Sequence, residues 1–531
     1  MACALLPYLA VRNYPHLHDD HVLRGPGSLV ADSRADWSTV LSADFFGTFE
    51  QPRGLTNFWR PVVLASYRWE RLLAGDSWQG YVWLGHVVTV LCHLAASLGL
   101  WRLLLVLGLG QPGALLAAAL FALHPVHVES VAWISGRTDC LATALCWWGT
   151  AIWLRCQGRV GPAIVATLAF VAALLSKEPV LLLVGLASLL ARCQGFSWRR
   201  ALSAPLLAMA VAVTLRALVF GLTPDVSNEG FMGPEALDQR WWTWASILPD
   251  MVRFTLWPGP ATPIHPVAVA MGWEAPGVVS GGAVFVLAAA GTWVAWRRQQ
   301  AAAVLATVVV LGTMLVLAPW SRFATGFEEV AGPLYERYLY AMAAAPGVLL
   351  SVWLGKTLER APLRALLLVL CCAAVLIPVT AKRAEMWSSE EAFARAGLAA
   401  APGSANMWTQ LGSAQLDVLR NSGDLTVGAA AVESFDRALG LDSSHRFAGL
   451  NRFIALAVMG REAQADDASK ALLRQRPEDP GVLHNVAGWH ASRARYDVAA
   501  QLYQREIDGE APLPGAQEAL DACVQALAAS R

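Results

Sequence analysis

Asp19 and Asp20 are adjacent carboxylates set between His18 and His21, just after a short apolar opening. Two carboxylates beside apolar chain are costly unless paired or used, and one can act as a general base while the other orients it or binds a cation. A solvated Asp-Asp turn is the plainer alternative. The same polar stretch carries Asp44-Phe45-Phe46-Gly47 and Trp59-Arg60-Pro61. Further on, Leu123-His124-Pro125-Val126-His127-Val128-Glu129-Ser130 leads into Ser135-Gly136-Arg137-Thr138-Asp139. His124, His127 and Glu129 fall where Pro125 breaks a short helix. Two histidines three apart around a proline are not the usual helical metal pair, so hydrogen bonding to a substrate or phosphate is expected over metal ligation. Arg137 has the fork geometry to clamp an anion through two bonds.

Two further acid–base neighbours, Lys177-Glu178 and Glu336-Arg337, interrupt apolar runs. Each fits a salt bridge that lets a helix end, or a charged contribution to a site. His86 and His93, seven residues apart, share one face of a long apolar helix. Ionisable groups facing the interior of such a bundle mark sites.

These groups must be positioned by membrane helices. Hydrophobic residues make up 56% of the 531-residue chain and charged residues 15%, against roughly 25% charged in soluble domains. Formal net charge is zero, which gives no electrostatic footprint for nucleic acid. The nine cysteines lack paired metal spacing and read as packing residues. Many of the 23 tryptophans stand near the ends of apolar runs, as interfacial anchors do. Apolar runs cover residues 82–107, 139–154, 160–176, 201–220, 276–296, 301–319, 338–355 and 363–380, with shorter ones at 113–123 and 179–191. The opening MACALLPYLA reads as the stub of a first span. The expected fold is an all-α bundle of about 10–11 spans.

Arg155 and Arg159, then Arg192, Arg199 and Arg200, then Arg297 and Arg298, then Lys356, Arg360 and Arg364 occupy every second connection. The positive-inside rule puts these loops in the cytoplasm. Residues 12–81, 124–138, Lys177-Glu178, 221–275, 320–337 and the chain beyond 380 are then external, so all the polar motifs share one side.

A transmembrane domain is expected over 1–380 and a soluble helical-repeat domain over 381–531. Ala431, Ala465 and Ala499 are spaced 34 apart, the tetratricopeptide period, and lead Phe435, Ser469 and Tyr503 by four. Trp408-x2-Leu411-Gly412 supplies a first helix, with a short insertion at Asn421–Gly428, and Pro477 closes a repeat. Such repeats commonly bind partners on a concave face.

In these motifs and their order the chain resembles the transmembrane and tetratricopeptide-repeat family of protein O-mannosyltransferase-like proteins. That family lies within the multi-span glycosyltransferases that use polyprenyl-phosphate sugars. The markers are Asp19-Asp20, Trp59-Arg60-Pro61 (where such proteins usually have Tyr-Arg-Pro), His86 and His93, the stretch Phe121–Arg137, Ser176-Lys177-Glu178 and Glu336–Tyr340, with the repeats last. The resemblance implies transfer of a sugar, mannose foremost, from a polyprenyl phosphate to Ser or Thr hydroxyls of an acceptor protein held by the repeats. Asp20 or Asp19 would be the base. Arg137, Lys177 and Arg337 would meet the leaving phosphate, and His124, His127 and Glu129 would orient sugar or phosphate. No cofactor is implied. The Ala/Arg/Gly-rich composition points to a bacterial inner membrane with external repeats; in a eukaryote the equivalent is the endoplasmic reticulum lumen. The rival readings are a non-catalytic membrane scaffold, a transferase acting on glycan or lipid, and a transporter.

Overall fold

The computed structural model describes residues 2–48, 58–221, 237–257, 259–268, 270–320, 331–509, 512–513 and 515–529. Parts of the two long expected loops, 49–57 and 222–236, lie outside the described residues. The chain divides into two compact units, Met1–Ala392 and Phe393–Arg531.

The first unit is a helical bundle. Its longest helix, Trp78–Val106, begins where Ser77 caps the backbone N–H of Gly80 and runs 29 residues. At 1.5 Å per residue that spans about 44 Å, ample for a bilayer. Trp198–Val219, Val278–Arg297, Glu336–Arg360 and Pro362–Trp387 are also long and apolar enough to cross a membrane, which gives five candidate spans among the described residues. Gln111–Leu123 and Pro125–Ala132 make a sixth if counted together, bent by 47°. The protein is therefore a multi-pass membrane protein. The expected 10–11 spans are not all long helices. The run 160–176 folds as Val160–Leu174, about 22 Å long and short of a roughly 30 Å hydrocarbon layer. The run 179–191 gives only the 13 residues of Leu181–Cys193. The opening residues form a short 3-10 helix, Ala2–Tyr8, and Tyr8 is buried. Among the described residues one two-stranded antiparallel ribbon interrupts the all-α pattern, pairing His265–Val267 with Ala331–Leu334.

Pro125 explains the bend: it has no N–H to donate and its ring obstructs the preceding turn. His124 repairs the break by accepting from the backbone N–H of Val126 through Nδ1 at 3.2 Å. The chain then folds tightly back through Ile134–Gly136 into the helix Arg137–Arg155. Gly136 is required in this turn, because a Cβ there would lie 2.7 Å from the Glu129 carbonyl oxygen.

The second unit is a run of helices packed on their sequence neighbours: Ala405–Ser422 with Leu425–Leu441, Arg446–Val458 with Glu462–Gln475, and Pro480–Ala491 with Tyr496–Ile507, followed by Ala516–Ala529. Ala431, Ala465 and Ala499 each lie fully buried in the second helix of a pair. The extra residues of the first repeat appear as longer helices, 18 and 17 residues against 13 and 14 in the next pair. Gly412 lets the first pair close, since a Cβ at this position would meet the Phe435 ring at 2.7–2.9 Å. Gly412→Ala is therefore expected to cost about 1–3 kcal/mol. Faster amide hydrogen exchange across residues 405–441 of the full chain would report this loss; unchanged exchange would contradict it.

Candidate active site

A cavity of about 310 Å³ opens in the first unit, at the lower end of the roughly 300–1,000 Å³ usual for ligand pockets. Its charged lining is Asp19, Arg60, Asp139, Lys177 and Arg337, and its aromatic lining includes Phe45, Phe58, Trp133 and Tyr335.

Each cation is held by a carboxylate from elsewhere in the chain. Arg60 reaches Glu178 through Nη2 at 3.0 Å, and its guanidinium lies 5.0 and 4.8 Å from the Phe45 and Phe58 ring centres. Lys177 Nζ donates to Asp139 Oδ1 at 2.5 Å. Arg337 pairs with Glu129 through Nη1, and its backbone N–H donates to Glu129 Oε2 at 2.9 Å. Its guanidinium sits 3.8 Å over the Tyr335 ring. A guanidinium has five N–H groups, so one carboxylate leaves donors for a ligand. The sequence neighbours Lys177 and Glu178 are thus not partners of each other. Nor are Glu336 and Arg337, because Glu336 binds Arg383 Nη2 at 2.5 Å and His265 Nε2 at 2.9 Å.

The two adjacent aspartates differ sharply. Asp20 is buried and accepts from the Ser135 backbone N–H at 2.9 Å, from the Ser135 hydroxyl, and from the Leu17 N–H at 3.3 Å. It does not line the cavity. Asp19 does, and the structure gives its carboxylate no hydrogen bond or ion pair among the described residues. Burial raises its pKa above the ordinary 3.8, against the opposing charges of Arg337, His18 and Arg60. The pair opens the helix Asp19–Arg24 after His18, whose φ of +50° is a conformation few non-glycine residues adopt. His18 is fixed by Glu390, which accepts its backbone N–H at 2.8 Å.

Other expected site residues lie away from the cavity. Arg137 is fully buried and spends its guanidinium on Glu70, Ser66 Oγ at 2.9 Å, Thr89 Oγ1 at 3.0 Å and the Gly85 carbonyl at 2.6 Å. Arg24 binds the other oxygen of Glu70. This Arg24–Glu70–Arg137 triad ties the first loop to two helices. His86 Nε2 contacts the Tyr14 carbonyl at 3.1 Å. His93 bridges the Tyr340 hydroxyl at 2.7 Å and the Ala122 carbonyl at 3.0 Å, and His127 contacts the Tyr340 carbonyl at 3.1 Å. His124 is the cap of the bent pair described above. Glu129 and Glu178 are the ion-pair partners of the cavity cations Arg337 and Arg60, and Glu336 pairs with Arg383 and His265 away from the cavity lining. Sequence reading quoted Asp139 only as the end of a motif and passed over Glu70 and Glu390.

No family model matches the chain. Over 198 residues, 36% of its length, it is 34% identical to the fruit-fly protein O-mannosyl-transferase Tmtc1 (Drosophila melanogaster). It is 37% identical over 112 residues to the fly Tmtc2 and 35% identical over 104 residues to human TMTC2 (Homo sapiens), both also named protein O-mannosyl-transferases. Over these stretches the chain is similar to proteins that carry that name. The matches cover 21% and 19% of this chain for the latter two, and the chain spans 22%, 11% and 12% of the three relatives, about a fifth of their length or less.

Burial also pushes the Asp20 carboxyl up, to about 6, despite its hydrogen bonds from Ser135 and Leu17 and the charge of Arg24. The folded state then holds this proton more tightly than the unfolded chain, so stability from this group falls as pH rises from about 4 to about 6. The loss is on the order of 2–3 kcal/mol. Melting of the detergent-solubilised protein is expected to fall over that interval in wild type and to stay flatter in Asp20→Asn. Identical slopes would contradict this environment for Asp20.

Proposed function

We propose that the cavity is the transfer site of a membrane glycosyltransferase that moves a sugar, mannose, from a polyprenyl phosphate to Ser or Thr hydroxyls of protein. The observation that carries this reading is an unpaired carboxylate, Asp19, in a cavity whose three cations come from three separate segments. The names of the relatives support the protein-directed sugar transfer.

In this mechanism the acceptor hydroxyl attacks the anomeric carbon and Asp19 takes its proton. A carboxylate with a raised pKa is a stronger base than an ordinary aspartate. The bond from the anomeric carbon to the phosphate oxygen breaks, and its electron pair leaves with the phosphate. Arg60, Lys177 and Arg337 stabilise the charge that develops there. Attack opposite the leaving group inverts the anomeric centre. The apolar wall of Phe45, Phe58, Val180, Leu182 and Val316 suits the first units of the polyprenyl chain. Asp20 positions its neighbour by fixing the loop to Ser135. The alternation of basic loops supports an extracytoplasmic site. The stacked helices of the second unit recruit the acceptor polypeptide, and their paired packing supports that role. For an Ala/Arg/Gly-rich chain the membrane proposed is the bacterial inner membrane.

Membranes carrying the wild type, incubated with labelled mannosyl-phosphoryl-polyprenol, are expected to label protein. Asp19→Asn should reduce that rate roughly 10²–10⁴-fold, while Asp20→Asn retains measurable transfer. The wild-type rate should fall with acid at a pH above 3.8, because the base must be ionised. Full activity in Asp19→Asn would remove it as the base, and no transfer by a folded wild type would favour the non-catalytic scaffold.

A further inference from the structure

Asp139 lies in the first turn of the helix Arg137–Arg155 and lines the cavity beside Thr138 and Lys177. It is 9% exposed. Oδ1 accepts from Lys177 Nζ at 2.5 Å, whereas Oδ2 is buried with no hydrogen-bond partner among the described residues. An ionised carboxylate only accepts hydrogen bonds, and a buried acceptor left unmet is costly. A ligand that brings a hydrogen-bond donor to Oδ2 would meet this acceptor.

We infer that Asp139 accepts a hydrogen bond from a ring hydroxyl of the transferred sugar and sets which sugar is used; this rests on the transferase reading above. The ionised phosphate of the donor brings no proton to Oδ2, and the polyprenyl tail brings none. The acceptor hydroxyl gives its proton to Asp19, whose charge no ion pair neutralises, in preference to Asp139, whose charge Lys177 already meets. Among the groups of the sugar donor, the ring hydroxyls remain. Lys177 stands at the seam, holding Oδ1 of Asp139 on one side and facing phosphate on the other, so it fixes the distance between the sugar-reading and phosphate-binding groups.

The test is a cycle of donors against variants. Mannosyl-phosphoryl-polyprenol and its 2-, 3-, 4- and 6-deoxy analogues are compared with wild type, Asp139→Ala and Arg60→Met, all checked for monodisperse folding in detergent. One deoxy donor is expected to lose roughly 10- to 100-fold in kcat/KM with wild type and to lose little more with Asp139→Ala, which has no polar atom left for that hydroxyl. Arg60→Met removes a phosphate-facing cation without touching the Lys177–Asp139 pair, and should weaken all donors alike and keep the wild-type order. Equal deoxy losses in wild type and Asp139→Ala overturn the assignment. If Asp139→Ala fails to fold, a wild type that treats all four deoxy donors within about threefold of the parent overturns it as well. Donor-induced shifts in melting temperature are read in parallel. A protein that binds donor with hydroxyl discrimination through Asp139 but transfers nothing sinks the transferase reading and keeps the sugar-reading role; a protein that neither binds nor transfers overturns both.

Discussion

Charge neutralisation inside an apolar bundle governs this protein's first unit. A charged group removed from water must find an opposite charge and further hydrogen bonds, and breaking such a buried pair costs about 3–5 kcal/mol. The pairs that answer this demand join distant segments, Arg337 to Glu129 across 208 residues and Arg137 to Glu70 across 67, and the more exposed Arg60–Glu178 pair spans 118. Lys177–Asp139 and Arg383–Glu336 do the same over 38 and 47. Together they draw the first loop, the bent pair around Pro125 and the segment around Glu336 onto one polar end of the bundle. The cavity is what those constraints enclose.

The same demand separates residues that look alike. Asp20 is satisfied by Ser135 and Leu17 and works as a tie between loop and bundle. Asp19, one residue away, lines the cavity and meets no partner among the described residues, so burial raises its pKa against the field of nearby cations. Asp139 is intermediate: one oxygen is anchored and one is left unmet. Unmet groups in an otherwise paired shell are where a ligand completes the hydrogen bonding.

Much of the scaffold was legible from local rules. Pro125 announced the break because its geometry is fixed wherever it occurs, and the 34-residue spacing of Ala431, Ala465 and Ala499 placed three helix pairs because close helix packing needs small residues at a regular interval. The number of full-length spans was less legible. Hydropathy marks an apolar run such as 160–176, but not that the helix stops at Leu174. The site was legible by type and not by role. Arg60, Lys177, Arg337 and Asp19 were singled out and do come together around one cavity. Arg137, His86 and His93 belong to the supporting core, because a side chain's partner is set by tertiary packing that no spacing encodes. The neighbours Lys177 and Glu178 make the point: adjacency suggested one salt bridge, and the fold uses each for a different partner.

The central claim is that Asp19, Arg60, Lys177 and Arg337 form one site for a phosphate-linked sugar. The most direct measurement is an experimental structure of the full chain in nanodiscs with polyprenyl phosphate bound. The account predicts the phosphate within hydrogen-bond distance of Lys177 and at least one of Arg60 and Arg337, with the Asp19 carboxylate facing the space beside it and still unpaired. A phosphate bound outside this cavity, or an Asp19 carboxylate closed off by an ion pair, would contradict it.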